Sequence, residues 1–259
     1  ILLNRTKAPL SEIKKAFANA LRLDPCNTAA MMNLAEPLVL QKKYDEASAL
    51  TAKAMRLRPE KPLVLAKAQA LVKEFMEGRD FQAAQNLLEE WTQSRPQDVD
   101  AWHNLGLILL NQGQNARAIS CFRQVHQRTP EDNFAVTQLA KLYFQEKNAR
   151  ECLRYCNILL HRGHKQLLAV SLKGRIINFT SGHEQAMQYL MPYIDQNPSN
   201  DALLVVLAEI HEYHDKYRDA VSALQKAKQI LELGNKQNNT ENLRFVINKI
   251  RNLKAKKIH

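Results

Sequence analysis

Two histidine pairs and one cysteine pair are the side chains of this sequence best placed for chemistry. His161 and His164, and again His211 and His214, stand three residues apart, a spacing that sets two imidazoles on one helix face as a partial zinc site. Glu209, Glu212 and Asp215 crowd the second pair. Cys152 and Cys156 lie one helical turn apart, within reach of thiol chemistry. Each pair also has a plain structural reading. The histidines fall at a helix end or an inter-helix turn, where polar residues are ordinary. The cysteines fall in slots for apolar side chains, where a free thiol behaves as a small hydrophobe. No G-x-S-x-G, P-loop, dinucleotide fingerprint or H-E-x-x-H occurs. The expectation is a chain that is not an enzyme and has no metal, no cofactor and no small-molecule substrate.

The elements that carry these residues are set by a repeat. The central stretch from Val99 to Asp132 holds Trp102, Leu105, Gly106 and Leu109, then Ala118, Phe122 and Pro130. Gly106 and Ala118 are small where two helices of one hairpin cross, and Trp102, Leu105, Leu109 and Phe122 fill the space around that crossing. Pro130, with no N–H and a fixed φ, suits the turn that ends the second helix. The small residue of the second helix recurs at Ile13, Ala47, Ala84, Ala118, Cys152, Ala186 and Ala220, separated by 34, 37 and then 34 residues each time. That of the first helix recurs at Ala35, Val72, Gly106, Ala140, Gly174 and Ala208 with the same slip, and the closing proline at Pro25, Pro59, Pro96, Pro130 and Pro198.

Three registers thus agree on repeats at 28–61, 65–98, 99–132, 133–166, 167–200 and 201–234, after a partial unit at 1–27. The inserted Pro62-Leu63-Val64 predicts an extra turn at the start of one helix, because proline is tolerated at the first helical position. Pro37 and Pro192 fall inside helices, where each removes an internal bond. After the last repeat, Leu243, Val246, Ile247, Ile250 and Leu253 form an amphipathic stripe behind Thr240, so 235–259 reads as a basic capping helix.

Charge follows the same division. The chain has 259 residues and a formal charge of +11, and its last 25 residues hold seven Lys/Arg against Glu241 alone. The repeats themselves are only modestly basic. No apolar run reaches the ~18 residues that cross a membrane, and no secretory leader is visible. Four unevenly spaced cysteines suggest no disulfide framework, which favours a reducing, cytoplasmic setting. Ile1 falls at the eighth position of a repeat, so the chain reads as a piece of a longer protein. On that reading a missing N-terminal segment is an alternative membrane anchor.

On these residues the chain resembles the tetratricopeptide repeat family from about Leu10 to Gly234. The resemblance implies an all-α, right-handed α–α superhelical solenoid of about six to seven hairpins with a C-terminal cap. It implies a concave wall, lined by first helices, that binds proteins or peptides. The unit at 167–200 departs most, with Lys173 where leucine is usual. Carried over position by position, the wall includes Gln69, Lys73, His103, Asn104, Phe134, Gln138, Lys141, Phe144 and Arg175. No fifth position is basic, which rules out the carboxylate clamp that grips chaperone tails. The remaining mixture of amides, cations and aromatics fits an acidic-to-neutral partner segment. The function expected is a non-catalytic scaffold or adaptor, with self-association through the solenoid ends possible. Two alternatives stand: an RNA-binding helical repeat, disfavoured by the 34-residue period and the terminal location of the excess charge, and a regulatory module of a larger enzyme.

Overall fold

Apolar residues spaced at three and four positions must bury one face of each helix, and short polar turns leave antiparallel pairing as the way to do it. The computed structural model describes residues 10–234 and 240–256. Among them it contains fourteen α-helices and no strand. The expectations that fell on 1–9, on Lys236 and on 257–259 lie outside the described residues. The chain divides into two compact units, Ile1–Ala135 and Val136–His259.

The first unit starts with α1 (Leu10–Leu23), which packs on α2 (Thr28–Leu40). Next come α3 (Tyr44–Leu57), α4 (Pro62–Glu77), α5 (Phe81–Ser94), α6 (Val99–Asn111) and α7 (Asn115–Arg128). Helix α2 pairs with α3, α4 with α5 and α6 with α7, and neighbouring hairpins stack. Helix α4 begins at Pro62 and has 16 residues, against 13 in α2 and α6, so the insertion is an added first turn. Helix α8 (Asn133–Gln145) contains the division between units. The second unit continues with α9 (Ala149–His161), α10 (Gln166–Ser181), α11 (His183–Gln196), α12 (Asp201–Tyr213), α13 (Tyr217–Leu233) and α14 (Thr240–Lys256). Helix α12 pairs with α13, and α14 packs on α13 as the cap, burying Val246 and Leu253. Helices α2 and α11 run on through Pro37 and Pro192.

The starts of these helices are fixed by side chains. Asn27, Asp80, Asp98, Asn148 and Asn200 each accept a hydrogen bond from the backbone N–H three residues on, satisfying a donor the helix leaves free. Asp98 also accepts the buried Trp91 indole N–H at 3.0 Å, while Arg95 beside it donates to the Pro59 carbonyl of the preceding hairpin. Within the central hairpin, Leu105, Leu109 and Phe122 are buried as expected. Trp102 is only half-buried, because its indole N–H turns out to the Pro96 carbonyl at 2.8 Å.

The turn inside each hairpin is also recurrent. Lys42, Arg79, Gly113, Lys147 and Asp215 adopt φ between 56° and 72°. In each case the following N–H (Lys43, Asp80, Gln114, Asn148, Lys216) donates to the carbonyl five residues back, the αL closure of a helix C-terminus. The hairpin α10–α11 lacks this turn. Its first helix runs 16 residues and gives way directly to α11 through Gly182 at φ 92°, in the repeat whose sequence departs most from the pattern.

Close helix approach explains the small residues. A Cβ on Gly106 would sit 3.0 Å from the Phe122 ring, and one on Gly174 would sit 2.6 Å from Leu190. Leu190 is fully buried and has nowhere to go. Overpacking of this kind costs about 1–3 kcal/mol, against the ~1 kcal/mol that alanine gains over glycine in a helix. Gly174→Ala should therefore destabilise the chain by about 1 kcal/mol in urea unfolding, the reverse of what helix propensity alone gives. A stabilised variant would show that the crossing is not tight.

Candidate functional site

First helices carry the residues expected to line a binding wall, and each unit presents its own set. In the first unit, Gln69 and Lys73 on α4 are exposed, and Lys73 makes only a loose ion pair with Glu77 at 3.7 Å. On α6, His103 and Asn104 are half-buried. The His103 ring lies 4.7 Å from that of Phe134 and 6.3 Å from that of Phe122, and Phe134 is 40% exposed. His103 Nε2 is buried with no hydrogen-bond partner. The first hairpin differs from its neighbours. Met32 is fully buried there, and Lys67 donates to Asn33 and Glu36, both at 2.7 Å, so that part of the face is occupied by the chain's own side chains.

In the second unit, α8 exposes Lys141 and half-exposes Gln138 and Phe144. Arg175 on α10 is not a free cation. Its Nε and Nη2 both reach Glu209 Oε2 of α12 at 2.8 Å. Lys249 of the cap lies 3.6 Å from Glu209 and 3.3 Å from Glu212, and Lys256 reaches Glu212 at 3.1 Å. Signs alternate along this ladder, so the basic cap is tied to the last hairpin by charge as well as by apolar packing. Burial works to raise the Glu212 pKa, but the hydrogen bonds and charges of Lys256 and Lys249 outweigh it and hold the carboxyl below its ordinary range. The unabsorbed cations of the cap, Arg244, Arg251 and Lys254, are exposed.

The histidines form a cluster that their sequence spacing did not indicate. His211 pairs with His183 at the start of α11, Nδ1 to Nε2 at 3.1 Å, rather than with His214. His214 Nε2 faces Asn178 Oδ1 of α10 at 2.8 Å, and its ring stands 5.1 Å from that of His183. Lys216 Nζ lies 3.3 Å from His183 Nδ1. An ammonium can only donate, so His183 Nδ1 accepts and its proton sits on Nε2. That N–H then donates to His211 Nδ1, which leaves the His211 proton on its own Nε2. Burial, followed by the charges around them, lowers the pKa of both rings. Among the described residues no group of three His, Cys, Asp or Glu side chains is arranged to hold a metal ion.

Three of the four thiols are buried. Cys152 donates to the Ala140 carbonyl at 3.2 Å, with Cys156 Sγ 3.9 Å away, and all three lie in the core. Burial pushes Cys121 up to about 12, far from a reactive thiolate. Cys26 is exposed. No helix among the described residues is long and apolar enough to cross a membrane.

Fold and surface together define a helical-hairpin repeat protein. The tetratricopeptide repeat family model matches residues 70–133. Among solved structures, MamA superposes with a TM-score of 0.54 at 15% identity, covering 66% of this chain and 93% of its own. A MamA fragment from Desulfovibrio magneticus RS-1 gives 0.53 at 18% identity, covering 66% and 95%. PilW, a widely conserved type IV pilus biogenesis factor, gives 0.51 at 20% identity, covering 65% and 78%. At such identities the likeness is one of fold. No curated protein matches the sequence.

The histidine chain carries a pH dependence of definite sign. A ring whose folded pKa is lowered binds protons better when unfolded, so its contribution is complete above about 6.5 and is lost as pH falls through the folded value. Protonated His183 would point an N–H at the Lys216 ammonium, and protonated His211 would point one at the His183 N–H. Glu184 and Asp219 offset this only in part, with Asn178, His214 and Lys216 completing the surroundings. Thermal stability should fall between pH 7.5 and 5.5. His183→Gln, which can accept from Lys216 and donate to His211 without titrating, should flatten that slope. Equal slopes for the two proteins would refute the assignment of protons.

Proposed function

We propose that the chain is a non-catalytic interaction scaffold, holding an acidic-to-neutral segment of a partner protein on the first-helix faces of its hairpins. The observation that carries this reading is the environment of His103. A buried ring nitrogen without a partner costs about 1–3 kcal/mol, which a hydrogen bond from a docked segment would recover. The His103 ring lies against that of Phe134, which is partly exposed. On the same unit, Asn104 and Gln69 offer amides to an extended backbone, and Lys73, only loosely paired with Glu77, offers a cation to a carboxylate. In the second unit, Gln138, Lys141 and Phe144 give α8 a similar set. Arg175, held by Glu209, is the less available cation of the set.

Members of the tetratricopeptide repeat family generally serve as protein-interaction scaffolds, which supports the class of function without naming a partner. Lys73→Glu combined with Lys141→Glu should weaken a partner captured from native lysate by about tenfold, through two reversed surface charges, with the melting temperature unchanged. Undiminished affinity would end the reading. His103→Leu separates fold from function. It should raise stability by about 1 kcal/mol, by removing the unsatisfied nitrogen, while weakening the same partner.

A further inference from the structure

A groove of about 500 Å³ opens in the second unit between α11 and α13, with α12 as its floor. Its size lies in the range of pockets that enclose ligand groups. The floor and one wall are apolar: Ile194 and Leu204 are nearly buried, Leu207 half-buried, and Met191 is 37% exposed along the edge. Opposite them Ser222 and Ala223 are too small to fill the space, which is why it stays open. Asp195 from α11 and Asp219 from α13 also line it, and neither forms an ion pair with any described residue. Among the other acids of this unit, Glu209 and Glu212 are engaged by the cap and Arg175, Glu151 by Arg154 and Glu232 by Lys228.

Lys226 supplies one positive charge to the lining, and His211, neutral through its bond to His183, supplies none. The groove is therefore an apolar slot of net negative charge in a chain whose formal charge is +11. It shares none of the first-helix residues assigned to the scaffold surface. We infer that this groove is a second docking site, taking a partner-protein segment that inserts one apolar side chain between Met191 and Leu204 and sets flanking Lys or Arg against Asp195 and Asp219.

The apolar anchor gains affinity by leaving water, and the two carboxylates decide which anchors are accepted, because a Glu-flanked segment would meet like charge. The test uses the full chain and three series of nine-residue peptides, each with a central Leu, Met or Phe, flanked by Lys/Arg, by Ser or by Glu. Titrations followed by fluorescence anisotropy and by amide NMR should show the cationic series binding most tightly, with shifts at Leu204, Leu207 and Asp219. Asp195→Asn with Asp219→Asn should lower that affinity about fivefold to tenfold. Ser222→Trp, at an exposed position on the lining, should abolish binding while leaving the melting temperature unchanged. Lys73→Glu with Lys141→Glu should leave peptide binding intact, which separates this site from the scaffold surface. Equal binding by the three series, no binding by any, or indifference to the two aspartate substitutions would overturn the proposal.

Discussion

Everything in this chain depends on how closely two helices of one hairpin can approach. Where the crossing residue is Gly106 or Gly174, the next helix brings a Phe122 ring or the Leu190 side chain to within about van der Waals contact of the backbone itself. Where it is alanine, as at Ala35, Ala140 and Ala208, the methyl is fully buried. Packing at this distance removes nearly all water from the seam. It also fixes which face of each helix is left over, because a helix buried along one stripe has only the opposite stripe to offer. The faces discussed as binding surfaces are what that constraint leaves exposed.

The constraint was legible because it acts on residue type at fixed spacing. Small residues, large apolar residues and prolines recur in three registers that share one slip, and the slip is visible as the added turn at Pro62. The hairpin turns were not legible. Their αL position is held by Lys42, Arg79, Lys147 and Asp215 as well as Gly113, so nothing in composition marks it. There the backbone closure, rather than the side chain, stabilises a conformation that lysine ordinarily avoids. Trp102 departs from its expected burial for a related reason: an indole carries a polar N–H, and the Pro96 carbonyl draws it outward.

Polar contacts between hairpins were the least legible layer. Arg175 looked like a free groove cation because its slot in the repeat is a groove slot. Only the neighbouring helix, one period later, supplies the Glu209 that occupies it. The same displacement by about one repeat joins Lys67 to Asn33 and Glu36, and His214 to Asn178. A single sequence shows what recurs at one position, but not which side chains of successive helices pair with one another. His211 illustrates the point most sharply, since its partner lies 28 residues upstream rather than at the adjacent His214.

These pairs also decide where recognition can occur. A first-helix face closed by its own alternating charges, as along Arg175, Glu209, Lys249, Glu212 and Lys256, offers an incoming segment little that is not already satisfied. A segment docking there must break one of these pairs for each new one it makes, so its net gain is small. In the second unit, Asp195, Asp219 and an unfilled apolar volume lie instead between α11 and α13. In the first unit the reverse holds, with Lys67 closing one hairpin and the His103–Phe134 pair leaving the face of α6 unsatisfied. One repeat pattern thus yields different available surfaces in its two units, because the pattern specifies the crossings while the residues between them determine which faces stay vacant.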